Sequence, residues 1–334
     1  MTQMTRATSA ACSDVLANPI GVFPVATHSE FSVQAPSAVV MIRPHRFTVN
    51  TETAADNRFQ ISNDDARDLS PLAYAEITRA AALLREQGIV VHLFESDDSD
   101  TPDSVFPNNW FSTHVGGYVA IYPMKALSRR RERRSDIIDL LKSRYRVQEV
   151  IDYSGLEADG VFLEGTGSMV LDHIDRVAYA VRSERTDPIA LERFCTQFRF
   201  EPMVFSAKDP SGFNIYHTNI LMCVATDFAM IGLDMITDSG RRREIVNRFE
   251  RADRRVIGLT NAQIEKFAGN AIELLGRNGR ILALSTTALS ALKPEQIDII
   301  GESARLLPLA IPTVERAGGS VRCTIAGVHL TPRV

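Results

Sequence analysis

A chain of 334 residues that is 45% apolar and 23% charged can bury a sizeable core, which excludes wholesale disorder. Its 37 basic and 41 acidic residues give a net charge of −4, which argues against a surface built to grip nucleic-acid phosphates. No apolar run approaches the ~18 residues of a membrane span, and the four cysteines (Cys12, Cys195, Cys223, Cys323) are too scattered for a disulfide framework.

Residues 1–35 lack sustained periodicity and read as an N-terminal extension; residues 36–334 are expected to form a single catalytic domain. The start has no charged segment followed by a clean apolar one, so a cytoplasmic location is expected. The first strand is predicted at Ser37–Pro44, a helix at about Leu69–Gln87 stopped by Gly88, and a second strand at Ile89–Phe94. Three hairpins follow: Asn109–Met124 turning at Gly116-Gly117, Glu164–Val181 turning near Asp172–Asp175, and His217–Gly232 turning near Thr226-Asp227. Their first residues lie 55 and then 53 residues apart. A further 53 residues reaches Asn270, which opens a hairpin with an Asn278-Gly279 turn, and another 53 reaches Cys323. Helical patterns sit between them at about Arg131–Tyr145, Pro188–Phe198, Arg241–Arg251 and Pro294–Leu306.

The chain therefore reads as five α/β units of strand-strand-helix-strand type. A closed ring of such units gathers Asn109, Glu164, His217, Asn270 and Cys323 at its axis. Cysteine, histidine and carboxylate together point to nucleophilic catalysis. Cys323 attacks as thiolate, which near neutral pH needs a positive neighbour, because a free thiol has a pKa of about 8.5. His217 can move protons, and Glu164 is best used gripping substrate N–H donors. No HExxH or CxxC spacing supports a metal, and no phosphate-binding glycine loop supports a nucleotide, so no cofactor is expected.

FLEGTGS (Phe162–Ser168), YHTN (Tyr216–Asn219) and GGSVRCTIAGVHL (Gly318–Leu330) resemble three signature segments of the guanidino-group-modifying enzymes, such as arginine deiminases, dimethylarginine hydrolases and amidinotransferases. PDSVFPNNWFSTH (Pro102–His114) and MIRPHRFTVN resemble more closely the citrulline-utilisation hydrolases. The resemblance covers about residues 37–334 and implies a five-bladed α/β-propeller. It implies attack by Cys323 on the central guanidinium carbon, loss of amine, and release of a covalent adduct by water. His217 is then the general acid and base, and Glu164 the carboxylate that binds guanidino or ureido nitrogens. Asn109, Asn108, Asp103 and Asn270 are the expected substrate-binding residues, and the partner is a small guanidino or ureido amino acid.

Two positions depart from the deiminase pattern. Asn109 stands where deiminases and dimethylarginine hydrolases carry Asp, and Asn219 where many deiminases carry an acid. Losing two carboxylates weakens neutralisation of a guanidinium cation and favours a neutral ureido group, since an amide both donates and accepts. An amidinotransferase and a non-catalytic amino-acid-binding protein are the competing readings. Cys223 and Cys195 are expected in the core; His114 either lines the pocket or packs. The runs Ser128–Asp136 and Arg241–Glu244 read as solvated helix faces rather than nucleic-acid sites. Arg43, Arg46 and Arg182 are candidates to hold a substrate α-carboxylate. No membrane partner is expected, and the outer helices of a ring can pair into a homo-oligomer.

Overall fold

The computed structural model describes residues 32–61 and 68–333. Its strands form five three-stranded sheets of one build: an inner strand antiparallel to a middle strand, which runs parallel to an outer one. Four are continuous in sequence: Phe111–His114, Tyr118–Ile121 and Glu149–Asp152; Met169–Asp172, Val177–Val181 and Glu201–Phe205; Met222–Val224, Phe228–Ile231 and Arg255–Gly258; Ile272–Gly276, Gly279–Ser285 and Arg305–Leu309. The fifth is assembled from both ends of the chain. Ala326–Gly327 is its inner strand, antiparallel to Ala38–Pro44, which runs parallel to Val90–Ser96. The expected repeat is thus a five-bladed α/β-propeller.

A parallel neighbour needs a crossover, and in each blade a helix supplies it. These are Ser70–Glu86, Ser135–Arg144, Pro188–Phe198, Ser239–Arg251 and Pro294–Gly301. Pro188–Phe198 shows how the sequence writes one. Asp187 caps it by accepting from Ile189 N, Pro188 fits the first turn, and Arg199 ends it in the left-handed region at φ 56°. Ala190, Leu191, Phe194, Cys195 and Phe198 recur on one buried stripe against the blade. Burying each large apolar side chain contributes about 1.5–3 kcal/mol. In the inner hairpins the expected turns hold; Gly116 and Gly117 both take φ 88°, which a side chain resists.

Two expectations are corrected. The helix expected over Pro294–Leu306 stops at Gly301, and Arg305–Leu309 is an outer strand parallel to Gly279–Ser285. Pro308 sits there without cost because nothing pairs beyond that edge among the described residues. The helix expected from Arg131 begins only at Ser135, since Leu127–Arg130 forms its own short turn that points inward. The expected extension lies, up to residue 31, outside the described residues. Its end is built into the ring: the buried Gln34 donates to Leu171 O and Val224 O, both at 3.0 Å, and accepts from His173 N at 2.8 Å. No helix among the described residues is long and apolar enough to cross a membrane.

Candidate active site

The five positions set by the sequence interval all lie just before inner strands, at one end of the axis. Asn109 ends the short helix Pro107–Asn109, Glu164 caps Gly165–Ser168, His217 caps Thr218–Leu221, and Cys323 lies in Val321–Thr324. These short helices contact one another, so four blades each deliver a polar side chain to one place. Close approach needs small residues. A Cβ on Gly167 would stand 2.2 Å from Asn109 Nδ2 and 2.8 Å from His217 Nδ1.

The sulfur of Cys323 receives two amide donors, Asn219 Nδ2 at 3.2 Å and Asn270 Nδ2 at 3.3 Å. Both aim N–H dipoles at the sulfur, where a carboxylate at either position would present only acceptors. Asn270 also donates to Asn219 O at 2.9 Å, so the two amides are fixed together. Asn219, seen in the sequence only as a missing acid, is a direct neighbour of the nucleophile.

His217 Nε2 lies 2.9 Å from Glu164 Oε2. Glu164 also takes Lys125 N at 3.1 Å and Arg185 Nη1 at 3.4 Å, with Arg129 Nη1 at 4.0 Å. Burial works to raise this carboxyl, but Arg185, the bond from His217 and Arg129 together hold it well below the usual carboxylate range. His217 is lowered from its ordinary value by burial, opposed by Glu164 and aided by both arginines. The pair is therefore a neutral imidazole held by an ionised carboxylate, the form in which histidine can act as a base.

Beside Cys323 and His217 is a cavity whose wall includes Asp103, Asn109, Arg129 and Arg185. Asp103 is buried and accepts from Asn50 Nδ2 at 2.8 Å; its Oδ1 has no partner among the described residues. Burial raises its carboxyl despite Arg129 nearby. Asn108 is fully buried but bonds Thr166 Oγ1 at 3.3 Å, away from the cavity wall.

Sequence reading missed the two arginines. Arg129, in a run expected to be solvated, is 2% exposed; it pairs with Glu132 at 2.9 Å and donates to Asn109 Oδ1 at 2.8 Å. Glu132 is buried as well, and burial pushes its carboxyl up to about 8 despite the pair. The Arg–x–x–Glu spacing was the available signal. Arg185 grips Asp56 and stacks over the Tyr216 ring at 4.7 Å. The candidates Arg43, Arg46 and Arg182 stand elsewhere: Arg43 is committed to Glu95, Arg46 and Arg182 are exposed, and none lines this cavity. Arg241 pairs with Glu244 on its exposed helix, as expected. His114 packs against Phe194 and Phe198 instead of reaching the cavity. Cys195 and Cys223 are buried, and burial pushes both thiols up to about 12. No cluster able to hold a metal is found among the described residues.

Comparison with known proteins agrees with this architecture. A family model described as N,N dimethylarginine dimethylhydrolase, eukaryotic, matches residues 43–330. No curated protein matches the sequence. Among solved structures, apo ArgZ, an arginine dihydrolase from the ornithine–ammonia cycle in cyanobacteria, superposes with a TM-score of 0.69 at 16% identity over 89% of this chain. The chain spans only 41% of ArgZ, but a structure of the ArgZ N-terminal domain is covered over 97% of its length (TM-score 0.66, 15% identity, 87% of this chain). The dimethylarginine hydrolase (DDAH) of Pseudomonas aeruginosa, complexed with citrulline, matches at TM-score 0.59 and 12% identity, over 88% of this chain and 99% of its own. The five-bladed fold is shared with these structures, and the chain belongs to the N,N-dimethylarginine dimethylhydrolase family.

Proposed function

We propose that this member acts on the ureido stage of guanidino-group chemistry, hydrolysing a citrulline-like amino acid to its amine with release of ammonia. One observation carries the reading. Asn109 turns its oxygen to Arg129, which leaves Nδ2 a buried donor with no partner among the described residues. A donor there suits the carbonyl oxygen of a urea and opposes the N–H edge of a guanidinium. The two wall arginines are themselves matched, Arg129 by Glu132 and Arg185 by Asp56, so selection falls to the Asn109 amide.

In this reading the Cys323 thiol gives its proton to His217 and the sulfur attacks the ureido carbon; ammonia then leaves with that proton. His217 then takes a proton from water, which attacks the thiocarbamate carbon and expels the sulfur. The N-carboxylated amine so formed loses carbon dioxide. Asn219 and Asn270 steady the sulfur each time it carries charge.

A second reading is favoured by likeness to ArgZ, an arginine dihydrolase, and AgrE, solved with L-arginine and similar at TM-score 0.70 and 17% identity. There a guanidino group enters and is carried through both steps. Ammonia release from arginine, citrulline, agmatine, dimethylarginine and succinylarginine, with products named by mass spectrometry and Cys323→Ala as blank, decides between them. Ornithine from citrulline supports the proposal. Ornithine from arginine supports the second reading, citrulline accumulating from arginine defeats both, and a product that changes with an added amine indicates an amidinotransferase.

A further inference from the structure

Below the nucleophile, on the far side of the ring, the axis opens into a second cavity of about 50 Å³. Residues from all five blades line it, among them Thr113, Leu171, Val224, Glu273 and Gly327, so it belongs to no single hairpin. Arg322, the residue before Cys323, forms part of its wall. Its guanidinium donates to Ile325 O at 2.9 Å and has no carboxylate within ion-pair distance among the described residues. Buried arginines elsewhere are matched: Arg129 with Glu132, Arg185 with Asp56, Arg254 with Asp172, Arg280 with Asp227. A half-buried cation without a counter-charge is open to a ligand that supplies one.

The neighbours suit an anion. His173 and His329 stack at 4.1 Å, and Nδ1 of His173 is buried without a partner. Burial lowers both rings; His329 spends an N–H on Val33 O, which leaves Nδ1 of His173 as the ring atom free to face a ligand. Cys223 is a neutral thiol here. Glu273 is the acid of the wall; its Oε2 accepts from Thr226 N and Oγ1, its Oε1 lies 3.9 Å from Arg280 Nε, and burial raises its carboxyl. Arg322, His173 and His329 all keep partial solvent exposure, so the cavity communicates with water.

We propose that this axial cavity binds a small oxyanion, a carboxylate or a phosphate, on Arg322 with the His173–His329 pair beside it.

The test titrates the full chain with inorganic phosphate, acetate and chloride at matched ionic strength, reading melting temperature. The expected result is a saturable rise in melting temperature with phosphate or acetate that chloride does not reproduce. Whichever anion acts at lower concentration names the class. Cys323→Ala must keep the thermal response, which separates this cavity from the substrate cavity, and Arg322→Gln must lose it. If Arg322→Gln does not fold, Glu273→Gln decides. Its amide keeps an acceptor for Thr226 and removes the acid of the wall, so anion affinity rises. A response equal for chloride, one retained in Arg322→Gln, or an unchanged affinity in Glu273→Gln overturns the proposal.

Discussion

Glu164 Oε2 stands 2.9 Å from His217 Nε2, and neither side chain reaches solvent to any useful extent. This contact couples the charge of the carboxylate to the protonation of the imidazole. In Glu164→Gln the imidazolium loses its only adjacent carboxylate while Arg185 and Arg129 remain. The acid limb of kcat/KM then moves to lower pH, and kcat falls by about 10²–10⁴-fold. A pH-rate profile of both proteins checks this; a limb that moves upward contradicts the arrangement.

Stability follows pH for a related reason. His329 is pushed down to about 4 by burial and by Arg322, and His114 and His173 are lowered by burial as well. A histidine whose folded value lies below its unfolded value of about 6.5 adds stability that is complete above about 6.5 and is lost as pH falls toward the folded value. Glu164, held low, adds stability present above the unfolded carboxyl value of about 4.3 and lost below it. Glu132, Asp103 and Glu273, raised by burial, act with the opposite sign between pH 7 and pH 4. The histidine contribution is therefore read as a difference: the denaturant midpoint of the parent should fall relative to that of His329→Gln from pH 7 to pH 4, and a parent midpoint that rises relative to the variant's refutes the assignment.

Asn109→Asp keeps the oxygen that meets Arg129 and replaces the free donor by an acceptor. The ratio of kcat/KM for a ureido over a guanidino substrate should fall by roughly 10-fold or more, the worth of about 1.4 kcal/mol. An unchanged ratio removes Asn109 from any role in selection.

Arg129→Met leaves Glu132 and Asp103 buried without their cation. Urea unfolding should report a loss of about 3–5 kcal/mol, the cost of breaking a buried pair from one side. The double variant Arg129→Met with Glu132→Met should regain a large part of that loss.

Gly167→Ala places a methyl group against Asn109 and His217. Displacing either by about 1 Å should cost on the order of 10²-fold in kcat. Circular dichroism should meanwhile show the fold retained.

The repeat was legible because each blade restarts the same way: a polar residue, then a buried inner strand and a tight turn. Cys323, His217 and Glu164 could be picked out since few residue types perform their chemistry. Arg129 was hidden for the opposite reason. Its burial depends on Asn109 and Asp103, brought near only by folding, and locally SRRRERRSD is a solvated helix start. The overlong helix after Pro294 failed similarly, since RLLPL satisfies helical spacing until a parallel partner is available to it.

The ring is fastened by two residues, Ala326 and Gly327, laid against the strand that begins at Ala38. Cys323 lies three positions before that fastening. The thiol, its amide donors and its histidine therefore come together only when the two ends of the polypeptide have met. A chain still emerging from its ribosome, or one whose last blade has come unzipped, carries a loose cysteine and no assembled catalyst. The clasp doubles as a safety catch, and reactivity at Cys323 reports whether the whole circle is shut.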